Sequence, residues 1–286
     1  MSVEVKLKNI TVNSIISKKE KNEKITMLTA YDFSTAKYLD EAGIDTILIG
    51  DSVGMVVLGY ESTHQVSMEE MKIFTGAVSR GAQRALIIAD MPFMSYQTSE
   101  SDALKNAGDL IKAGANAVKL EGASDFIVNT VKRMTESGIP VVGHLGFTPQ
   151  YLHTLGGYRI QGKSYETALN ILEQAKKLQN AGAFMVVLEM MPEEAAKYIT
   201  DHLEIPTIGI GAGKYCDGQV LVIDDVLGKY SEMTPKFVRK YADLKTEITR
   251  AAREYILDVQ GEKFPAESEI FHLTEGEMQK LECTCC

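Results

Sequence analysis

Three apolar runs in the first half of this sequence each close on an acid: Asp51 in TILIGDSVG, Asp90 in LIIADMPF and Glu121 in AVKLEG. A strand made for burial gains nothing in packing from a carboxylate at its tip, so the repetition points to chemistry. Side-chain alternation puts Ile47, Ile49 and Asp51 on one face, Leu86, Ile88 and Asp90 on one face, and Lys119 with Glu121 on another. On neighbouring strands about 5 Å apart, the three carboxylates converge within ~10 Å. Carboxylates that close raise one another's pKa unless something neutralises them. An all-oxygen set selects a hard divalent cation, Mg²⁺ before zinc or copper. Each acid alone also fits a plain role as turn residue or helix N-cap, Asp51 before Ser52 and Asp90 before Met91 and Pro92. The coincidence of three favours a metal site.

The chain as a whole is acidic, with a net charge of −9. That balance argues against general affinity for nucleic acid or an anionic membrane surface. An anionic substrate therefore needs a local positive partner, and Lys119 supplies one; a structural ion pair with Glu121 or Glu189 is the alternative. Glu189 ends the apolar run AFMVVLE, and an apolar flank there suits a general base. It could equally be a first-turn acid of the helix that follows. His144, in GHLGFTPQ, either hydrogen-bonds substrate or supports neighbouring carboxylates, with support preferred. His64, His153, His202 and His272 have no ligand spacing. The glycine-rich GIGAGKYCDG (209–218) lacks both the Walker spacing and the dinucleotide fingerprint. It reads as a phosphate loop or as close strand-to-loop packing.

Positioning these residues takes a repeated unit. EAGIDTILIGD, KAGANAVKLEG, ESGIPVVGHLG and NAGAFMVVLEM each leave a helix-like stretch through a glycine C-cap, run through a short apolar strand and end on a polar residue. Strands are expected near 24–29, 46–49, 86–89, 117–120, 141–143, 185–188, 207–210 and 219–223. Helices are expected over 68–85, 100–114 and 164–182, where apolar residues recur at helical spacing. Strands alternating with helices in 286 residues, with no proline-rich linker, predict an α/β fold. The form favoured is a single (β/α)₈ TIM barrel over 1–272, and an open doubly wound sheet is the rival. Parallel barrel strands deliver their last residues to one mouth, where Glu189 would stand across from the three acids.

A composition 45% hydrophobic and 24% charged is that of a globular chain with ample core. The N-terminus carries no apolar signal segment and no run is long enough to span a bilayer. Cys216 stands alone and Cys283, Cys285 and Cys286 crowd the end, which is no disulfide framework. The expectation is a cytoplasmic protein, with 273–286 a disordered tail.

Eight segments also resemble, in order and spacing, the ketopantoate hydroxymethyltransferase family: KITMLTAYD, ILIGDSVGMVVLGY, ADMPF, AVKLEG, GHLGFTPQ, GGYRIQGK, VLEMMP and IGIGAGKYCDGQVLV. The resemblance runs from about Thr11 to about Phe271. It implies a barrel of the phosphoenolpyruvate/pyruvate superfamily. It further implies Mg²⁺-dependent hydroxymethyl transfer from 5,10-methylenetetrahydrofolate to 3-methyl-2-oxobutanoate, in pantothenate biosynthesis. Carried over by position, Mg²⁺ ligands fall on Asp51, Asp90 and Glu121. Substrate contacts fall on Asp51, Ser52, Asp90 and Lys119, and the proton acceptor on Glu189. It also implies a homo-oligomer, often a decamer. The end of the chain departs from the family pattern, with FPAESEIFHL followed by TEGEMQKLECTCC.

Two other readings compete. One is a Mg²⁺-enolate lyase or mutase of the isocitrate lyase kind, which commonly carries a catalytic cysteine on a flexible loop; no gate-loop motif surrounds Cys216. The other is a non-catalytic barrel, which predicts loss of a strand-end acid, and none is lost.

Overall fold

Each of the four expected joints between helix and strand contains a glycine with positive φ: Gly43 (90°), Gly114 (117°), Gly138 (82°) and Gly182 (96°). Residues with a Cβ resist that conformation, so glycine lets each helix stop and the chain turn inward at once. The helices begin as deliberately as they end. Ser67, Ser99, Ser124 and Ser164 each accept a backbone N–H of the first turn, and Ser67 forms a reciprocal box with Glu70.

A computed structural model describes residues 9–229 and 235–284. In chain order it contains α1 (Val12–Glu20), β1 (Ile25–Thr29), α2 (Phe33–Glu41), β2 (Thr46–Ile49), α3 (Val53–Val56), α4 (Met68–Gly81) and β3 (Leu86–Asp90). There follow α5 (Glu100–Ala113), β4 (Ala117–Glu121), α6 (Asp125–Glu136), β5 (Val141–Gly146), α7 (Leu152–Leu155), α8 (Tyr165–Asn180) and β6 (Met185–Glu189). Last come α9 (Glu193–Asp201), β7 (Thr207–Ile210), β8 (Gly218–Leu221), α10 (Ile223–Val226), α11 (Leu244–Gln260) and α12 (Glu275–Thr284). The strands are parallel and close in sequence order, β8 pairing with β1. The sheet is a barrel, not the open doubly wound alternative.

Its core has two layers set by strand alternation. Ile25, Met27, Leu86, Ile88, Val142, Val187 and Ile208 pack with one another inside the barrel, and Ile15 of α1 closes its lower end. Ile87, Val118, Leu120, Val141 and Val186 point the other way, against Val78, Leu110, Val131 and Leu178 of the surrounding helices. β8 stops two residues earlier than expected, because the Ile223 N–H turns to donate to Thr29 Oγ1 and opens α10.

Beyond the barrel, α11 buries none of its residues. Where the sequence suggested a disordered end, residues 275–284 form α12, with Glu275 and Glu277 in the first turn, where the helix dipole favours acids. Cys285 and Cys286 lie outside the described residues. Among the described residues no helix is long and apolar enough to cross a membrane.

Candidate active site

Strand register brings the predicted residues together. Asp90 at the end of β3 pairs beside Lys119 on β4, Glu121 beside His144 on β5, and Gly146 beside Glu189 on β6. Asp90, Lys119, Glu121, His144 and Glu189 thus lie within or at the ends of strands, not just past them. Asp51 arrives differently. Ile47 and Ile49 face the helices while Leu48 faces the barrel interior, so alternation alone does not aim Asp51 at the mouth. β2 ends at Ile49, the chain turns at Gly50, and the Asp51 N–H donates to Asp90 Oδ2 at 3.1 Å. The turn does what strand phase was expected to do.

Asp51, Asp90, Lys119, Glu121 and His144 are each at most 5% exposed. Buried charge must be paired, and among the described residues each of these but Asp51 has an ion-pair partner. Lys119 Nζ lies 3.0 Å from Asp90 Oδ1. His144 Nδ1 is 3.3 Å from Glu121 Oε1, and its Nε2 is 3.2 Å from Glu189 Oε2. Glu189 therefore does not stand alone across the mouth; one imidazole links it to the acid trio. Nor is its flank wholly apolar, since Tyr158 lies close enough for the Glu189 charge, after burial, to raise its phenol. The Glu189 side chain keeps 14% of its surface in solvent, against 4% or less for Asp90, Glu121 and His144.

Protonation follows from this crowding. Burial, then the charges of Asp90 and Glu121, push Asp51 up to about 8 against the pull of Lys119 and Gln150. Burial also raises Asp90, although Lys119 opposes it. Burial pulls Lys119 down, but Asp90, Glu121 and Asp51 outweigh it and hold the ammonium well above its ordinary value. For His144, burial and Lys119 lower the pKa, yet Glu121 and Glu189 carry it up to about 9. A carboxylate thus lies within ion-pair distance of each ring nitrogen, although Nε2 makes no aligned hydrogen bond and Nδ1 also lies 3.4 Å from Lys119 Nζ.

Ser52 follows Asp51 in the same turn, its Oγ 2.9 Å from the Tyr31 hydroxyl. The glycine-rich 209–218 loop packs closely. Gly218 abuts Ile25, Gly213 abuts Glu193, and the Glu193 carboxylate already accepts the Lys214 N–H. These contacts favour the packing role for the loop.

A family model described as ketopantoate hydroxymethyltransferase matches residues 9–267. The chain belongs to the ketopantoate hydroxymethyltransferase family. The 3-methyl-2-oxobutanoate hydroxymethyltransferase of Syntrophus aciditrophicus (strain SB) is 55% identical over 272 residues, covering 95% of this chain and 100% of that one. The protein of that name from Hyperthermus butylicus is 51% identical over 273 residues, covering 96% and 94%. The chain is thus a transferase enzyme. Among solved structures, 2,3-dimethylmalate lyase, a PEP mutase/isocitrate lyase superfamily member, matches with a TM-score of 0.57 at 14% identity, covering 96% of this chain and 99% of that one. A phosphonopyruvate hydrolase complex with oxalate and Mg²⁺ matches at 0.59 and 12%, covering 96% and 97%. These likenesses concern the fold alone, a TIM barrel.

The transferase's donor set can be tested against Mg²⁺. Among the described residues no three His, Cys, Asp or Glu side chains are gathered as a ready cage. Mg²⁺ does not demand one, since it keeps several waters and is commonly held by one or two carboxylates plus substrate. Asp51 and Asp90 are adjacent, oxygen-only and short of positive charge. Asp90 Oδ1 is buried and, though it faces Lys119, accepts no aligned hydrogen bond. The residues fit the ion.

A carboxylate whose pKa is raised in the fold keeps a proton that the unfolded chain releases near 4. Its contribution to stability therefore declines as pH rises from about 4 to the Asp51 value of about 8. A cation replaces that proton best at the upper end. Mg²⁺ is expected to raise Tm more near pH 8 than near pH 6 in thermal unfolding. Equal shifts at both would mean that the ion does not compete with protons at Asp51.

Three residues that contact these groups were not legible as site residues: Tyr31, Tyr96 and Gln150. They are neutral and carry no ligand spacing; from loops, Tyr31 reaches Ser52, Tyr96 the Glu121 backbone, and Gln150 the carboxylates of Asp51 and Glu121. A cavity of about 320 Å³ opens beside Gly146, lined by Thr148, Tyr151, Gln161, Asn170 and Gln174 among others.

Proposed function

We propose that the protein transfers a hydroxymethyl group from 5,10-methylenetetrahydrofolate to C3 of 3-methyl-2-oxobutanoate, giving 2-dehydropantoate for pantothenate biosynthesis. The observation that carries this reading is the division of the buried acids into two sets. Asp51 and Asp90 gather around Lys119, whereas Glu189 is separated from Glu121 by His144 and is the more accessible to solvent. One set suits an anion-binding and metal-binding role, and the other supplies a base that is free to act.

Mg²⁺ held by Asp51 and Asp90, with Glu121 beside them, would supply Lewis-acid stabilisation of the negative charge that grows on the keto oxygen. Lys119, held cationic by its neighbours, binds the carboxylate end of the oxo acid and shares the developing charge. Ser52, its hydroxyl in contact with Tyr31, orients the same group. Glu189 takes the C3 proton, with His144 holding the carboxylate in place. The C3 carbanion then bonds to the one-carbon unit; the C–N bonds that held this carbon to the folate break, water supplies the hydroxyl oxygen, and tetrahydrofolate leaves. The cavity beside Gly146 offers neutral amides and hydroxyls suited to an uncharged pterin ring. The same reading makes the protein a cytoplasmic homo-oligomer. Exposed Ile248, Tyr255 and Val259, at helical spacing on α11, form a surface that self-association would cover.

The test follows the C3 proton of 3-methyl-2-oxobutanoate by NMR in D₂O, with Mg²⁺ and then with EDTA, before methylenetetrahydrofolate is added. Exchange that needs the ion, followed by 2-dehydropantoate on adding the folate, is the expected result. Exchange without product moves the assignment to a lyase or mutase. Neither one, from folded Mg²⁺-loaded protein, overturns the reading.

A further inference from the structure

Gln150, 4% exposed, uses every polar atom it has. Its backbone N–H donates to Glu121 Oε2 at 2.9 Å. Its side-chain Nε2 donates to Asp51 Oδ2 at 2.9 Å and to the Met91 carbonyl at 3.0 Å. Its Oε1 accepts from the Tyr96 hydroxyl at 2.7 Å and from Gln97 Nε2 at 3.2 Å. Its carbonyl accepts from His64 Nε2 at 2.9 Å. One residue thereby joins the loops after β2, β3 and β5 to the last residue of β4.

The sense of the amide is fixed by its partners. The Met91 carbonyl can only accept, so it must face the NH₂ group. Tyr96, fully buried, accepts the Glu121 N–H at 3.1 Å, which leaves its own proton for Gln150 Oε1. The circuit is closed: Glu121 backbone to Tyr96, Tyr96 to Gln150, and Gln150 back to Asp51 and to the Glu121 side chain. One oxygen of each acid is tied down, and the remaining Glu121 oxygen is left to His144.

We propose that Gln150 is a positioning residue for the cation and the oxo acid, fixing the orientations of Asp51 and Glu121 while Tyr96 sets the direction of its amide. This rests on the Mg²⁺ reading above. Partners of metal ligands are commonly worth 10–100-fold in metal affinity. Gln150 supplies one such bond through its side chain, to Asp51, and a second bond through its backbone to the neighbouring Glu121.

The experiment is isothermal titration of Mg²⁺ alone into the wild-type protein, Gln150→Met and Tyr96→Phe, with Tm and steady-state kinetics measured beside it. Gln150→Met keeps the backbone bond and most of the volume. It is expected to weaken Mg²⁺ by about 10–100-fold. KM for the oxo acid should rise at limiting Mg²⁺, and kcat should be largely restored as Mg²⁺ is raised. A role in folding alone would lower Tm without that rescue. Tyr96→Phe removes one oxygen and should shift Mg²⁺ affinity in the same direction by less. It decides the question should Gln150→Met not fold. Wild-type Mg²⁺ affinity in either folded variant overturns the proposal. A wild-type protein that binds no Mg²⁺ overturns the metal reading and this proposal with it.

Discussion

Glu189→Gln is expected to lower kcat by about 10²–10⁴-fold, the usual worth of a positioned general base. Binding of Mg²⁺ and of the oxo acid should be largely kept. The substitution keeps shape and leaves an oxygen able to accept from His144 Nε2, which lies 3.2 Å from the carboxylate. What it removes is the capacity to take a proton. Solvent exchange at C3 should therefore fall by the same factor as turnover, without need of the folate substrate. If kcat falls while exchange continues, Glu189 acts after the proton has left. An unchanged kcat would remove it from the chemistry altogether.

Which parts of this site could be read in the sequence follows from how each residue is positioned. Asp90, Lys119, Glu121 and Glu189 sit on strands, where a period of two ties a side chain's direction to its neighbours. Their register across β3, β4, β5 and β6 follows from the barrel. Asp51 lies beside Asp90, but not for the reason alternation gives. Ile47 and Ile49 face outward, and a turn at Gly50 delivers the acid. The link made by His144 was only half legible, because strand position shows that it points inward but not that Glu121 and Glu189 both come within reach. Gln150 was least legible of all. It lies 99 residues from Asp51, on a loop with no periodicity, and a neutral amide announces no chemistry. The fold lies in local patterns repeated along the chain, whereas these contacts depend on where the loops settle.

Lys119→Met should have the second large effect, and its size should depend on the cation. Methionine keeps the length and apolar body of the lysine stem, so the change is chiefly one of charge. Without Mg²⁺, Asp90 loses the ammonium 3.0 Å away, and Asp51 and Glu121 lose the cation that offsets them. Removing one partner of a buried pair costs about 3–5 kcal/mol, because the other is left uncompensated. Protonation of Asp90 relieves part of that cost, so the loss should deepen as pH rises. With saturating Mg²⁺ the acids regain a counterion, and most of the lost Tm should return. Activity should not return with it. On the proposed reading the oxo acid loses a positively charged donor at its own oxygens, a loss of about 10²–10³-fold in rate when one such group is removed. Thermal unfolding with Mg²⁺ and with EDTA, beside steady-state kinetics, separates the two effects. Activity restored together with Tm would make Lys119 a structural counterion alone. Tm lowered equally with and without Mg²⁺ would mean that the ion and the lysine do not neutralise the same acids.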